Sequence, residues 1–376
     1  MNTKFRVLQL GTKNFGIGGI STFVFQLGKF QNKNKVIFDY FILNDKIDSF
    51  YKREIEKKGG EAYLFKKYKL NILNLFFGIK NLRKMKHHDI YHIHASVAYI
   101  ALCYLICCKL LKVNKIIIHS HSDGIEGKFK ILKRLFHELS KRIMLMLKKE
   151  TFACSKEAAE WMFCNQDLST TIIIKNGIEV EKFLYNKSWR NYIRKELNME
   201  ENFILGHVGR YTDAKNHDFI LRIYKELLKR NKKYRLLLVG IGNKTNLLNK
   251  KLEQYNIKEG TKIIKRTKEV SKYLSAMDSF IFPSKFEGFG IAVIEAQASG
   301  LLVFASENLP KITQVTSNIV YLDLEKGINY WCDIIEERSF NFRRKNLRVQ
   351  FKNLEYDIKK VAKNLEKRYK IILKRR

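Results

Sequence analysis

The sequence predicts an α/β protein with two doubly wound domains in tandem. Apolar runs with the length of buried strands alternate with helical patterns, which indicates parallel sheets covered by helices on both faces. The alternation occurs twice, with a break near residues 186–200, and 376 residues are many for a single core. We place the domains at 1–185 and 186–345, and we expect a basic helix at 346–376 to pack back toward the first domain.

The elements follow in order along the chain. The first half opens with the strand FRVLQL at 5–10 and the helix ISTFVFQLGKF at 20–30. Further strand-like runs of the first half are VIFDYFIL, DIYHIHAS, KIIIHSH, TFACS and TTIIIKNGI. Those of the second half are FILGHVGR, RLLLVGIG, TKIIKR, DSFIFPS and LLVFAS. Because ligands of doubly wound sheets bind beyond the carboxyl ends of strands, the motifs that follow these runs are the candidates for chemistry.

Charge and cysteine content narrow the class of protein. The net charge of +35 fits either a solvated basic surface or an anionic partner such as a membrane, a nucleotide or nucleic acid. The six cysteines form no CxxC pair, and Cys103, Cys107 and Cys108 lie in an apolar run, as core thiols of a reducing compartment would. That run, SVAYIALCYLICC, has 13 residues and is too short to span a bilayer. Since the N-terminus has no signal-peptide pattern, we expect a cytoplasmic protein.

A glycine-rich stretch, GTKNFGIGGIS, lies between the first strand and the first helix. At Gly18 and Gly19 the backbone can approach an anion, and the helix amides and dipole favour a phosphate or a hydroxyl-rich ligand. A dinucleotide fingerprint would need glycine or alanine where Ser21 stands, and the downstream acid Asp39 lies inside a strand pattern. We interpret the stretch as a ligand-contacting loop, with a plain structural turn as the alternative.

Two histidine pairs lie in strand patterns. His119 and His121 are two residues apart, so they share one face of a strand, and His121 stands at its end. We predict that His121 meets a substrate near the reacting centre; the alternative is an ordinary polar pair at a strand terminus. His92 and His94 repeat the spacing, and we interpret them as mostly structural. A zinc site is not expected, because no third and fourth ligand stand at a suitable spacing.

Two cations follow the first strand of the second half, in HVGRYTDAKNHDF. Arg210 and Lys215 come directly after Gly209, in a loop that enters a helix. One bidentate guanidinium and one ammonium at a helix entrance suit a diphosphate. The alternative is a surface charge pair without a ligand.

Two glutamates flank a glycine turn in KFEGFGIAVIEAQASG, residues 285–300. Glu287 falls in the loop after the strand DSFIFPS, and Glu295 lies about one turn into the next helix. Gly288 and Gly290 leave amides exposed at the helix entrance. Because a carboxylate accepts two hydrogen bonds at once, it suits vicinal sugar hydroxyls. Two such groups with cations between them fit a nucleotide-sugar, in which two polyols are joined by a diphosphate.

The ordered set of motifs resembles the retaining glycosyltransferases of family four, which have the GT-B fold. EGFGIAVIEA resembles their E-x7-E element, and the resemblance extends from the first strand to about residue 310. Its other carriers are Gly18, Gly19, His121, Asn176, Gly177, Ile178, Gly209, Arg210, Lys215, Gly240, Gly242, Pro283 and Ser284. Residues 307–327 are similar to the variant found in bacterial capsule and exopolysaccharide assembly. Lys265 stands where a glycine is usual, and Leu302 replaces a common proline.

The resemblance implies two Rossmann-like domains facing each other across a cleft, with the acceptor on the first and the donor on the second. Glu295 would hold the ribose hydroxyls and Glu287 the donor sugar, while Arg210 and Lys215 neutralise the leaving diphosphate. His121 would lie near the donor sugar and acceptor. The remaining implied donor contacts are Gly18, Gly19, Gly209, Gly288, Phe289, Gly290 and Ile291.

The chemistry so implied is transfer with retention at the anomeric carbon, with no metal or other cofactor. The leaving phosphate is often proposed to take the acceptor proton in this family. We expect a nucleotide-sugar donor, on family frequency a UDP-sugar, and a glycan or lipid-linked acceptor in bacterial cell-surface polysaccharide synthesis.

A basic segment at 127–149 bears on the choice of partner. It alternates basic and apolar residues at helical spacing, as helices that lie on anionic membranes do. The alternative is a core-facing helix with a solvated back. A nucleic-acid-binding protein would need a concentrated basic face with aromatics or a known module, and we expect no specific nucleic acid. A sugar-nucleotide epimerase shares the doubly wound fold, but the two glutamates with Arg210 and Lys215 disfavour it.

Overall fold

The structure is a computed structural model that describes residues 4–12, 15, 19–44, 46–65, 82, 85, 87–122, 124–125, 129–240, 242, 245–265, 267–353 and 355–375. The chain forms two compact units. Unit 1 comprises Met1–Ile178 and Glu355–Arg376, and unit 2 comprises Glu179–Leu354. Both units are parallel sheets flanked by helices, which confirms the predicted α/β class.

Unit 1 contains a seven-stranded sheet in the order β3-β2-β1-β4-β5-β6-β7. Its strands are β1 Phe5–Thr12, β2 Val36–Ile42, β3 Ala62–Leu64, β4 Ile90–Ala95, β5 Ile116–Ser120, β6 Glu150–Ala153 and β7 Ile172–Ile173. Its helices are α1 Gly19–Phe30, α2 Ser49–Lys57, α3 Ala98–Leu110, α4 Lys130–Leu145, α5 Lys156–Met162 and α6 Asn165–Leu168, and α15 Ile358–Lys374 at the C-terminus. The strand order reverses between β1 and β4, which is where doubly wound sheets bind ligands.

Unit 2 contains a six-stranded sheet in the order β10-β9-β8-β11-β12-β13. Its strands are β8 Phe203–Val208, β9 Tyr234–Val239, β10 Thr261–Ile264, β11 Ser279–Phe282, β12 Leu302–Ser306 and β13 Ile319–Leu322. Its helices are α7 Val180–Phe183, α8 Lys187–Leu197, α9 His217–Arg230, α10 Thr245–Gln254, α11 Val270–Ala276, α12 Ile291–Ala298, α13 Gly327–Phe340 and α14 Arg348–Asn353, with a 3-10 turn at Lys311–Thr313. Here the order reverses between β8 and β11.

The predicted strands are all present, and the structure adds β3 and β13, which were not separated from their surroundings in the sequence. β3 is only three residues long and partly exposed, so its apolar pattern is weak. Leu302 begins β12, and it lies buried there. Strands buried on both faces explain the continuous apolar runs: every residue of β2, β4, β5 and β12 is buried.

The division into units falls at 178/179 and 354/355, whereas the sequence placed it at 185/186 and 345/346. The short helix α7 packs against α12 and α14, so the residues around it belong to unit 2. The C-terminal basic segment forms two helices, of which α15 returns to unit 1. Its residues Leu365, Tyr369 and Ile372 recur at helical spacing in the core beneath β1 and β2.

The C-terminal segment is tied to unit 1 where the chain leaves that unit. Ile178 forms an isolated parallel bridge with Asp357, in which the Ile178 amide donates to Tyr356 and the Ile358 amide donates to Ile178. The Asp357 side chain then caps α15 by accepting from the Lys359 amide. The NGI motif at 176–178 therefore lies where the chain passes from unit 1 to unit 2.

Candidate active site

The reversal point of the unit 2 sheet brings the two charged motifs of the second half together. β8 and β11 are neighbouring parallel strands, paired through Leu205 with Ser279 and Gly206 with Phe280. Their carboxyl ends lie at the same edge, so the loop that carries Arg210 and Lys215 stands beside the loop that carries Glu287. A backbone hydrogen bond of 2.8 Å, from the Lys285 amide to the Ala214 carbonyl, joins the two loops.

Lys215 and Glu287 form an ion pair across these loops, through Nζ and Oε2. Both side chains are mostly buried, with 17% and 21% of their surface exposed. Lys215 Nζ also lies 4.3 Å from the centroid of the Phe282 ring, in the last position of β11. The ammonium is therefore held between an aromatic face and a carboxylate, in a position fixed by the sheet.

Arg210 lies in the same loop but on its exposed side. Its guanidinium has no ion pair within the described residues, so it is available to an anionic ligand. Gly209, just before it, abuts the ring of His207, since a Cβ added there would lie 2.7 Å from His207 Nε2. The structure thus brings Lys215 and Glu287 into contact and leaves the exposed Arg210 of the same loop without an ion pair among the described residues.

The turn at residues 288–290 leads into the N-terminus of α12. Gly290 caps the helix in the left-handed conformation with φ 73°, which glycine adopts without strain. Phe289 is buried and anchors the turn, Gly288 precedes it, and Ile291 is the first helical residue. The first amides of a helix have no intrahelical acceptor, so this end favours oxygen-rich or anionic groups.

Glu295 lies in the second turn of α12. It has no hydrogen-bond or salt-bridge partner among the described side chains, although part of its surface stays exposed. Burial of its carboxyl group raises the pKa to about 8, although the positive charge of Lys182 acts in the opposite direction. Burial therefore favours the protonated form of Glu295 in the ligand-free protein, while Glu287 is held by a cation.

Gln297 is a positioning residue that sequence reasoning missed. Its amide donates to the carbonyls of Val293 and Thr313, and its Oε1 accepts from the amides of Val315 and Thr316 and from the Thr316 hydroxyl. This fully buried side chain fixes α12 to the loop after the 3-10 turn. The only signal in the sequence is a polar residue in the apolar part of a helix.

In unit 1, the corresponding reversal point holds four buried histidines. β4 and β5 pair in parallel with His94 opposite His119, so the rings of His92, His94, His119 and His121 form one cluster. The rings of His119 and His121 lie 4.1 Å apart, as expected for one face of a strand. Both contact Phe23 of α1, the helix that begins at Gly19. Gly18 and most of the glycine loop lie outside the described residues.

Strand pairing brings together histidines whose spacing along the chain indicated no shared metal site. Nitrogens of His92, His94 and His119 lie within 4.8 Å of one another, a group that could hold a metal ion. His92 and His94, which we interpreted as mostly structural, are the direct hydrogen-bond partners of His119 and His121.

The comparisons with known proteins agree with this architecture. The family model of the glycosyl transferases group 1 matches residues 190–319, which include both charged loops of unit 2. The putative glycosyltransferase EpsF of Bacillus subtilis is 25% identical over 347 residues, covering 90% of each chain. An Escherichia coli enzyme described as UDP-Gal:alpha-D-GlcNAc-diphosphoundecaprenol alpha-1,3-galactosyltransferase is 24% identical over 299 residues, covering 75% of each.

Solved structures show the same fold. Anabaena HepE in complex with UDP and glucose superposes with a TM-score of 0.75 at 14% identity, over 98% of this chain and 100% of that one. The lipopolysaccharide glycosyltransferase WaaG superposes with a TM-score of 0.68 at 12% identity, over 96% and 95%. Together, the comparisons show that the chain is similar to the group 1 glycosyl transferases over residues 190–319 and to glycosyltransferases such as EpsF over most of its length, and that it has the fold of the HepE and WaaG structures.

Proposed function

We propose that the chain transfers a sugar from a UDP-sugar to a glycan or lipid-linked acceptor, with retention, in the synthesis of a bacterial cell-surface polysaccharide. The observation that carries the proposal is the ion pair of Lys215 with Glu287 at the reversal point of the unit 2 sheet, formed by the loop that also carries Arg210. Relatives described as capsule and O-antigen biosynthesis glycosyltransferases support the class of product. Structures of HepE with UDP and with UDP-glucose support the class of donor.

The roles follow from the chemistry of each group. Lys215 and Arg210 supply two positive charges, which offset the charge that develops on the departing diphosphate. Glu287 and Glu295 supply carboxyl oxygens for the sugar and ribose hydroxyls, and the first amides of α12 favour the phosphate oxygens. We propose that these cations replace a metal ion in stabilising the leaving group. His121 is the candidate contact of unit 1 with the donor sugar and the acceptor.

Donor binding tests the first part of the proposal. We expect one of UDP-, GDP- or ADP-glucose, without added metal, to raise the Tm, since a ligand at a hundredfold excess over its Kd stabilises by about 2.7 kcal/mol. We expect the UDP-sugar to do so and the shift to disappear in Glu295→Ala. The exposed Lys285→Gln, two residues before Glu287, is the matched control and should keep the shift. If no nucleotide-sugar shifts the Tm, the donor assignment is wrong.

Retention is tested by the product rather than by the protein. With a donor of known α configuration, the anomeric proton of the first-formed product should show the α coupling in NMR. A product with the β coupling would contradict retention while leaving donor binding intact.

The helix α4 supports a membrane-associated acceptor. Its apolar residues face outward rather than toward the core: large exposed fractions occur at Phe129 (77%), Ile131 (89%), Leu135 (67%) and Met146 (84%). The opposite face is fixed to unit 1 by the buried His137, which accepts from the Ala98 amide, donates to the Trp161 carbonyl and stacks on the Trp161 ring. This exposure favours membrane contact over a core-facing helix with a solvated back.

The charge of α4 indicates which kind of surface the helix contacts. The helix has five basic residues, Lys130, Lys133, Arg134, Lys141 and Arg142, and one acidic residue, Glu138. Basic residues beside an exposed apolar face fit the surface of an anionic bilayer, where each cation contributes about 1 kcal/mol. Within the described residues no helix is long and apolar enough to cross a membrane. We propose that α4 lies on the anionic membrane that carries the acceptor.

Vesicle sedimentation tests this contact. We expect the protein to pellet with phosphatidylglycerol vesicles, to pellet less as salt rises, and to stay in solution with phosphatidylcholine vesicles. Leu135→Gln with Phe136→Gln should reduce the pelleted fraction several-fold. Phe340→Gln removes a side chain that is 81% exposed on another helix, and it should change nothing. Equal sedimentation of the two variants would contradict docking through α4.

A further inference from the structure

The histidine cluster of unit 1 is two hydrogen-bonded pairs stacked on each other. His92 Nε2 faces His119 Nδ1 at 3.2 Å, and His94 Nδ1 faces His121 Nε2 at 2.9 Å. The rings of His92 and His94 stack at 4.2 Å. All four side chains are at least nine-tenths buried. In such a cluster, the position of each proton is decided by the groups at the ends of the pairs.

Gln9 determines the proton positions in the pair formed by His94 and His121. Its Oε1 lies 2.7 Å from His94 Nε2 across the boundary of β1 and β4. A carbonyl oxygen only accepts, so His94 has its proton on Nε2 and presents a bare Nδ1 to His121. His121 must then donate from Nε2, which leaves its own Nδ1 without a proton.

The backbone holds Gln9 in place. β1 has an irregularity after Gln9, and Gly11 there has φ 82°. A Cβ at Gly11 would lie 2.1 Å from the carbonyl oxygen of His94, so only glycine allows β1 to run this close to β4. The amide of His121 donates to the Ala95 carbonyl at 3.1 Å, which fixes the other end of the chain of bonds.

His121 Nδ1 is the open end of this chain. It is buried and has no hydrogen-bond partner among the described residues. Burial lowers the pKa of His121 to about 3 and the pKa of His94 well below 6.5, so both rings are neutral at physiological pH. A buried acceptor without a donor costs about 1–3 kcal/mol, and a hydroxyl group of a ligand would satisfy it.

We propose that Gln9 and His94 are positioning residues that hold His121 in the tautomer with a bare Nδ1, which accepts a hydrogen bond from a sugar hydroxyl of the substrate. The inference rests on the proposed glycosyl transfer for the identity of the ligand, but the tautomer itself does not depend on it. No proton changes owner in the step: the hydroxyl keeps its hydrogen, and the ring serves only as acceptor.

The other pair offers a matched control. His92 Nδ1 lies 2.7 Å from the Tyr369 hydroxyl on α15, and His119 Nε2 is the open end there. Tyr369→Phe removes a hydroxyl at the same depth of the same cluster, one that also interacts with the Gln9 side chain, but it leaves the Gln9 Oε1 acceptor of His94 in place. Gln9→Met removes the acceptor that orients His94 and keeps the volume of the side chain.

Imidazole ¹⁵N NMR of the full chain, labelled at histidine, reads the tautomers directly. We expect His121 to show a bare Nδ1 and a protonated Nε2 in the wild type and in Tyr369→Phe, and two tautomers in Gln9→Met. His94→Asn places an amide oxygen near the former Nδ1 position, where it accepts from His121 Nε2, and should keep the single tautomer. A protonated Nδ1 in the wild type would overturn the proposal. One equivalent of tightly bound zinc in the purified protein would also overturn it, because the nitrogens that face each other in the pairs would then bind the metal instead of forming hydrogen bonds.

Turnover separates this inference from the proposed function. With the donor that stabilises the protein, Gln9→Met should lower kcat/KM about three- to tenfold, the worth of one hydrogen bond, and Tyr369→Phe should not. If the tautomer is as expected but no nucleotide-sugar binds, the proposed function fails and the positioning by Gln9 stands. If donors bind and react but Gln9→Met has wild-type kcat/KM, the positioning role fails alone.

Discussion

The ammonium of Lys215 pairs with the carboxylate of Glu287 across the reversal point of the unit 2 sheet. The resemblance to family-four enzymes gives these residues different partners, a phosphate for the lysine and a sugar hydroxyl for the glutamate. In the ligand-free protein each therefore neutralises the other, while Phe282 fixes the lysine from beneath. A donor that contacts both would exchange this ion pair for its own phosphate and hydroxyl groups.

Glu287→Gln should abolish most of the transfer while leaving the fold intact. An amide accepts hydrogen bonds less strongly than a carboxylate, and it releases Lys215 from its anionic partner. We expect kcat to fall at least about a hundredfold, the usual cost of a misplaced electrostatic group. Because partly exposed ion pairs contribute about 0–1 kcal/mol, the Tm should change by only a few degrees.

Lys285→Gln is the control for this variant, since it removes an exposed charge from the same loop. It should retain wild-type kcat and Tm. A Glu287→Gln enzyme with more than half of the wild-type kcat would remove Glu287 from the site.

Binding of UDP should tighten as pH rises from about 6 to 8. Burial raises the pKa of Glu295 to about 8 in the free protein. If ribose hydroxyls donate to its carboxylate, the bound pKa is lower, so binding below pH 8 releases a proton and becomes tighter as pH rises. Titration calorimetry in two buffers with different ionisation enthalpies measures the proton release. Glu295→Gln should bind UDP more weakly and without this pH dependence; an equal pH dependence in both proteins would contradict the assignment.

Acidification should destabilise unit 1 before carboxylates titrate. Burial lowers the pKa of His121 to about 3 and those of His92, His94 and His119 well below 6.5. Below pH 6.5 the unfolded chain therefore binds more protons than the folded one, so the free energy of unfolding falls as pH falls toward 3. We expect the Tm to drop between pH 7 and 5, and to drop less in His121→Asn. A Tm that rises over this range would exclude neutral buried histidines.

The fold and the charged loops were accessible from the sequence because they depend on local patterns. Buried parallel strands leave continuous apolar runs, and glycine and charge at their ends mark Lys215, Glu287 and Glu295 as candidates. That Lys215 meets Glu287 follows only from the pairing of β8 with β11, which no local pattern specifies.

The histidine cluster was also hard to predict, because it too depends on strand pairing rather than on a local pattern. His92 and His94 read as an ordinary strand pattern until β4 pairs with β5 in the register that sets His94 opposite His119. Gln9 gains its role from a third strand, and Tyr369 from a helix more than 200 residues away in the chain. The outward apolar face of α4 was hidden for a related reason: periodicity shows that a helix has an apolar face, but only packing shows whether that face is buried.

Gln297→Leu should destabilise unit 2 more than any change in the charged loops. Leucine fills the volume, but it leaves the Thr316 amide without an acceptor in the interior. The Val315 amide and the Thr313 carbonyl each lose one bond and keep the one that joins them. An unpaired buried amide costs about 1–3 kcal/mol and each further lost bond about 0.5–1.5 kcal/mol, so we expect a loss of about 2–5 kcal/mol in urea unfolding monitored at unit 2. Gln297→Glu should be no milder, because its second oxygen would face the carbonyls of Val293 and Thr313, where only a donor is accommodated. Because Gln297 fixes α12 two residues after Glu295, the Leu variant should also bind UDP more weakly at temperatures where it is still folded. A Leu variant as stable as the wild type would show that the loop does not depend on Gln297.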